Sequence, residues 1–104
     1  MIFELRVYHV LPGKMREYSQ QFGEFMPIFK KVGISVIGVW QTVIGESDEF
    51  TYLLAFDDLA DRERKWKELA ADPDALAYFQ RHSVTSVSHI TNKIMSPQPY
   101  SPLK

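Results

Sequence analysis

Residues 34–56 read ISVIGVWQTVIGESDEFTYLLAF, two apolar runs separated by the turn-forming residues GESD at 45–48. Both runs are rich in β-branched and aromatic side chains, which suit a pleated, half-buried surface, so the stretch predicts a hairpin of two strands. In the second run Phe50, Tyr52, Leu54 and Phe56 alternate with Thr51, Leu53 and Ala55, the period of a strand with two distinct faces. Gly38 interrupts the first run, and a glycine inside a strand marks a bulge or a close backbone approach.

Working outward, residues 2–11 predict an earlier strand. Phe3, Leu5, Val7, His9 and Leu11 share one face, and Ile2, Glu4, Arg6, Tyr8 and Val10 share the other. Pro12-Gly13 ends it. From Lys14 to Lys31, Met15, Tyr18, Phe22, Phe25, Met26 and Phe29 recur at helical spacing, with Gly33 placed to end the helix. Pro27 lacks an amide donor and crowds the preceding turn, so a kink or a second segment after Glu24 is expected.

Residues 56–79, FDDLADRERKWKELAADPDALAYF, are dense in charge. Asp58 suits an N-cap and Asp61 a first helical turn, while Asp61 with Lys65 and Glu63 with Lys67 have the i,i+4 order that supports a helix. Leu59, Trp66, Leu69 and Ala70 supply an apolar stripe. Asp72 followed by Pro73 starts a second helical piece. The run lacks the alternating oxygen ligands and central glycine of a calcium loop, so its charges are read as helix construction. A fourth strand is expected over 84–95, then an extended, proline-rich tail at 97–104.

The order is β-α-β-β-α-β, which within one domain, residues 1–96, gives an α+β ferredoxin-like fold: a four-stranded antiparallel sheet covered on one side by helices. The uncovered face is expected to carry Tyr8, Trp40 and Tyr52, and pairing two such faces in a homodimer, a dimeric α+β barrel, removes them from water.

Composition narrows the function. The 104 residues are 45% hydrophobic and 24% charged with a formal net charge of -1, as in an ordinary globular domain. No basic patch, glycine-rich phosphate loop or recognition helix supports nucleic-acid binding. The absence of cysteine removes disulfides and thiolate chemistry. Glu4 and Arg6 break the apolar start of the chain, so neither a signal core nor a membrane span is expected, and the cytoplasm is the expected location.

The best pocket candidate is Glu4, Arg6 and Tyr8 on one strand face inside the dimeric barrel. Arg6 could bind a carboxylate or enolate-like anion, Glu4 could accept a proton or orient Arg6, and Tyr8 could donate a hydrogen bond. Trp40 and Tyr52 would suit a flat ligand, and His89 on the last strand could join them. A structural alternative stands beside this one: a Glu4–Arg6 ion pair in a dimer interface, with Tyr8 and Trp40 packed around it. His9 reads as structural and His82 as a helix C-cap. The three histidines have no zinc spacing and the serines no nucleophile elbow, so neither a metal nor a cofactor is expected.

The chain resembles the NIPSNAP family. The resemblance is carried by FELRVY at 3–8, PGK at 12–14, Gly33, GVW at 38–40, Gly45, LADRE at 59–63, Trp66, ADP at 71–73 and Pro97. It implies a dimeric α/β-barrel of ferredoxin-like subunits, in a superfamily that includes cofactor-free monooxygenases acting on quinol-like aromatics. It also singles out Arg62, Glu63 and Trp66, since LADRE includes residues that capping does not require. The favoured functional reading is a homodimer binding a small, partly aromatic or anionic ligand. A cofactor-independent monooxygenase or isomerase is the alternative, and a structural or protein-interaction homodimer using the PQPYSPLK tail is the third reading. No residue set fixes a reaction.

Overall fold

The computed structural model describes residues 1–82 and 86–104. Its elements are β1 (Ile2–Val10), α1 (Met15–Val32), β2 (Ser35–Gln41), β3 (Glu49–Phe56), α2 (Leu59–Ala71), α3 (Pro73–Arg81) and β4 (Val87–Met95). The strands form one antiparallel sheet in the order β2-β3-β1-β4. This is the ferredoxin-like arrangement that the hairpin at 34–56 predicts. The expected beginning of the last strand at 84 lies outside the described residues.

Which face of the sheet meets the helices is set by β3. Paired residues of an antiparallel ladder share a face, and Arg6 pairs with Tyr52, Glu4 with Leu54 and Tyr8 with Phe50. Phe50, Tyr52, Leu54 and Phe56 are all buried in one core with Phe22, Phe25, Ile28 and Phe29 of α1, Leu69 of α2 and Tyr78 of α3. Each large apolar side chain contributes about 1.5–3 kcal/mol on burial. The four on β3 together therefore outweigh the cost of carrying Glu4 and Arg6 beneath the helices, provided those charges are paired.

The expectation that Glu4, Arg6 and Tyr8 lie on the uncovered face is thus corrected. The alternation of β1 points the other way, with Phe3, Leu5 and Val7 as the apolar face and Glu4 and Arg6 on the charged one, and the pairing with β3 overrides it. The uncovered face instead carries Leu5, Val7 and His9, with Leu53 and Thr51 of β3 and Trp40 of β2 in register. Along β2 the ladder shifts between Val36 and Gly38, the bulge that the interior glycine predicts. A Cβ at position 38 would stand 2.4 Å from Cη2 of Trp40, so glycine is what lets the indole lie flat against its own strand.

Helix α1 runs unbroken through Pro27, and no second segment starts after Glu24. Phe22 and Phe25 before the proline and Ile28 and Phe29 after it are all buried, so packing holds both halves in one helix despite the lost amide. Gly33 ends it at φ 92°, donating to the carbonyls of Phe29 and Lys30, a left-handed cap that favours glycine. Asp58 accepts from the amide of Asp61 at 2.7 Å, and Asp61 reaches back to the amide of Asp57 at 2.9 Å. Asp61 is consequently buried, while Leu59, expected in the apolar stripe, is 61% exposed. Asp72 caps α3 through the amides of Asp74 and Ala75. The tail is not simply extended, because Ser101 donates to the Gln98 carbonyl and closes a turn.

Removing the α2 cap with Asp58→Ala should lower stability by about 1 kcal/mol. Glu63→Ala, on the exposed side of the same helix, should change it by less than about 0.5 kcal/mol. Urea denaturation followed by circular dichroism compares the two.

Candidate functional site

Glu4 is the chemical centre of the helix-covered face. It is fully buried, and its two carboxylate oxygens take five donors. Oε1 accepts from Nε of Arg62 at 2.8 Å and from the indole of Trp66 at 3.2 Å. Oε2 accepts from Arg6 at 2.8 Å, from the second arm of Arg62 at 3.1 Å and from Asn92 at 3.1 Å. Arg62 and Trp66 are four apart on α2, so one helix face delivers both. Burial alone would raise the Glu4 pKa, but the hydrogen bonds from Arg62, Asn92 and Arg6 outweigh it and hold the carboxyl down at about 2. Glu4 is therefore a fixed anion and a poor general base.

Arg6 turns its remaining donors the other way. Nε donates to the Tyr52 hydroxyl at 2.9 Å and Nη2 to the Tyr8 hydroxyl at 3.2 Å. The two phenolic oxygens lie 2.8 Å apart. The guanidinium also sits 5.1 Å from the ring centroid of Trp66, within cation–π range. Burial pushes the Tyr52 pKa far up, with neighbouring Tyr8 adding to it and Arg6 opposing it. Burial likewise raises Tyr18.

Beside this network lies a cavity of about 280 Å³ between the sheet and all three helices. Tyr8 and Tyr52 form its sheet side, Tyr18, Phe22 and Phe25 come from α1, and Trp66 and Tyr78 from α2 and α3. Its rim carries His82, whose ring nitrogen meets Glu24 at 2.8 Å. An engineered cavity of about 150 Å³ holds benzene, so this one has room for a single ring with substituents.

Of the residues singled out from sequence, the structure brings Glu4, Arg6, Tyr8, Tyr52, Arg62 and Trp66 together. Glu63 points to solvent and pairs with Lys67 at 3.4 Å. Trp40 stands on the uncovered face, two strands away in the ladder from Arg6 and on the opposite side of the sheet. His89 is also on that face, stacked on His9 with ring centroids 3.9 Å apart, because its register partner is His9 and not Arg6. Neither reaches the Glu4 network. Asn92 takes the place expected of His89. No local pattern marks Asn92 in the sequence, because its place is set by the β1–β4 register, in which it pairs with Arg6. At the far end of the same sheet, His9, Glu46 and Glu49 bring ligand atoms within 4.8 Å of one another, a grouping that spacing along the chain does not reveal.

The model of the NIPSNAP family matches residues 3–102. Protein NipSnap homolog 1 of Danio rerio is 26% identical over 103 residues, 99% of this chain but only 36% of that relative's length. The crystal structure of a nipsnap family protein with unknown function from Agrobacterium tumefaciens superposes with a TM-score of 0.91 at 30% identity, covering 100% of this chain and 94% of that one. A putative antibiotic biosynthesis monooxygenase from Nitrosomonas europaea shares the fold, with a TM-score of 0.69 at 10% identity over 93% of this chain and 98% of that one. No helix among the described residues is long and apolar enough to cross a membrane.

The depressed Glu4 pKa gives stability a defined acid limb. Its contribution is complete above the ordinary value of 4.5 and is lost as pH falls toward about 2, with a span on the order of 3 kcal/mol. Glu4→Gln should flatten this limb and, by leaving two guanidiniums facing a neutral amide, destabilise the fold by about 3–5 kcal/mol near neutrality. Denaturant melts across the acid range measure both.

Proposed function

The chain belongs to the NIPSNAP family, and from that premise we propose that it is a homodimeric protein that binds a small aromatic molecule between its sheet and its helices. The observation that carries this reading is the cavity of about 280 Å³, walled by aromatic side chains and backed at one end by the Arg6, Tyr8 and Tyr52 hydrogen-bond network. Small-molecule sites are largely apolar with a few placed polar groups, and the balance here is of that kind. An aromatic wall recognises a flat ring, while the phenols set which end of it enters first. The pocket expected in the dimer barrel is thus moved to the interior of each subunit.

The homodimer draws on the other face of the sheet. Leu5, Val7 and Leu53 are only half-covered there, and Trp40 is 53% exposed. A patch of this kind is removed from water when two copies pair through it. Cytoplasmic placement belongs to the same proposal.

A second reading, cofactor-independent oxygenation or isomerisation of a quinol-like or enolisable molecule in this cavity, draws on the phenol pair. Two hydroxyls held by a guanidinium are suited to stabilising charge that develops on a substrate oxygen. Glu4, saturated by donors, would not act as the base. His82 at the rim is then the basic side chain in position to do so.

Calorimetric titration with a panel of single-ring phenols, quinols and aromatic acids should show saturable binding. Filling the cavity with Phe22→Trp should abolish it, and a panel without binding would remove this reading. Oxygen consumption by any ligand that binds would favour the second. Trp40→Glu should convert the dimer to monomer in sedimentation while leaving the titration unchanged.

A further inference from the structure

Within the cavity reading above, the hydrogen atoms of the phenol pair do not balance. Arg6 has donors only, so both hydroxyl oxygens accept from it, at 2.9 Å for Tyr52 and 3.2 Å for Tyr8. The oxygens lie 2.8 Å apart, and only one O–H can occupy the line between them. Two hydroxyl hydrogens therefore share one acceptor contact, and the other hydrogen has no acceptor among the described residues. Tyr52 is 2% exposed and Tyr8 only half-buried. The arrangement that leaves the spare hydrogen on the more accessible group runs from Arg6 to Tyr52 to Tyr8, whose O–H is then free to donate outward.

Charge leads independently to the same place. Glu4 faces both Arg6 and Arg62, and neither guanidinium has a second carboxylate partner among the described residues. One negative charge meets two positive ones, so the network keeps an unneutralised positive charge directly behind the phenols. The other titratable groups around the cavity do not cancel it. Tyr18 and Tyr78 have raised pKa values, with burial as the main cause, and stay neutral, and the Glu24 carboxylate, which meets His82 at the rim, is exposed and screened by water.

We infer that the ligand is a phenol or enol bound as its oxyanion, with the negative oxygen accepting the free Tyr8 hydroxyl hydrogen and compensated by the surplus charge on Arg6 and Arg62. Binding breaks the ligand's O–H bond heterolytically and its proton passes to bulk water. No electrons are transferred. Charge-assisted hydrogen bonds of this type are roughly twice as strong as neutral ones, so the site selects molecules by the acidity of the hydroxyl as well as by the shape of the ring. A neutral arene of the same size would be held by the aromatic wall alone.

The probe is 4-nitrophenol, whose anion absorbs visible light, with nitrobenzene as a ligand that cannot ionise. In buffer below the free pKa of the probe, the protein should generate nitrophenolate absorbance, with a bound pKa lowered by about one unit or more, which is a tenfold or greater preference for the anion. Tyr8→Phe should restore the free pKa, with an unchanged circular dichroism spectrum and melting transition showing that the variant is folded. If 4-nitrophenol binds with an unchanged or raised pKa, or if Tyr8→Phe leaves the lowered value in place, the oxyanion inference is overturned and the cavity reading survives. If neither 4-nitrophenol nor nitrobenzene binds, the cavity reading falls and the inference with it.

Discussion

A single buried carboxylate organises this molecule. Glu4 sits in β1 and accepts hydrogen bonds from α2 through Arg62 and Trp66 and from β4 through Asn92. An unpaired buried carboxylate would cost several kcal/mol, so its five donors are a condition of the fold as well as a feature of the site. The same anion fixes Arg6, and Arg6 in turn fixes the two phenols beside the cavity. Position, charge and hydrogen-bond direction pass along one chain of contacts, from a group that cannot change protonation near neutrality to groups that a ligand can meet.

Much of the architecture was legible in the chain because it depends on local signals. The hairpin at 34–56, the Gly38 bulge, the left-handed Gly33 cap and the two aspartate caps each rest on a few neighbouring residues, and the structure contains all of them. No second segment starts near Pro27, because tertiary packing overrides the local preference. Four buried side chains flanking it hold α1 together. Leu59 was expected inward, but in the first turn of α2 the buried place goes to Asp61, which closes the cap, and Leu59 is left exposed.

The site was half legible. Glu4, Arg6 and Tyr8 share a face by simple alternation, Arg62 stood out because capping did not require it, and Trp66 was read as the anchor of the α2 apolar stripe. That these two sets meet is a fact about which side of β1 the helices cover, and β1 alone does not contain it. Its more apolar face, with Phe3, Leu5 and Val7, would by itself be turned to the helices, but the buried face of β3 is larger and more aromatic, and the Arg6–Tyr52 pairing forces β1 to turn with it. Asn92 and His89 differ by three residues and thus fall on opposite faces, so one register shift exchanges their roles.

The two tryptophans divide the molecule in a way that has an experimental use. Trp40 rests over Gly38 on the uncovered side of the sheet, and Trp66 lines the cavity with its indole nitrogen tied to Glu4. Since the chain has only these two, each face carries its own intrinsic fluorophore. Replacing either with phenylalanine leaves a protein whose emission reports on one side of the sheet alone, so association and ligand entry can be watched as separate optical events without attaching a dye.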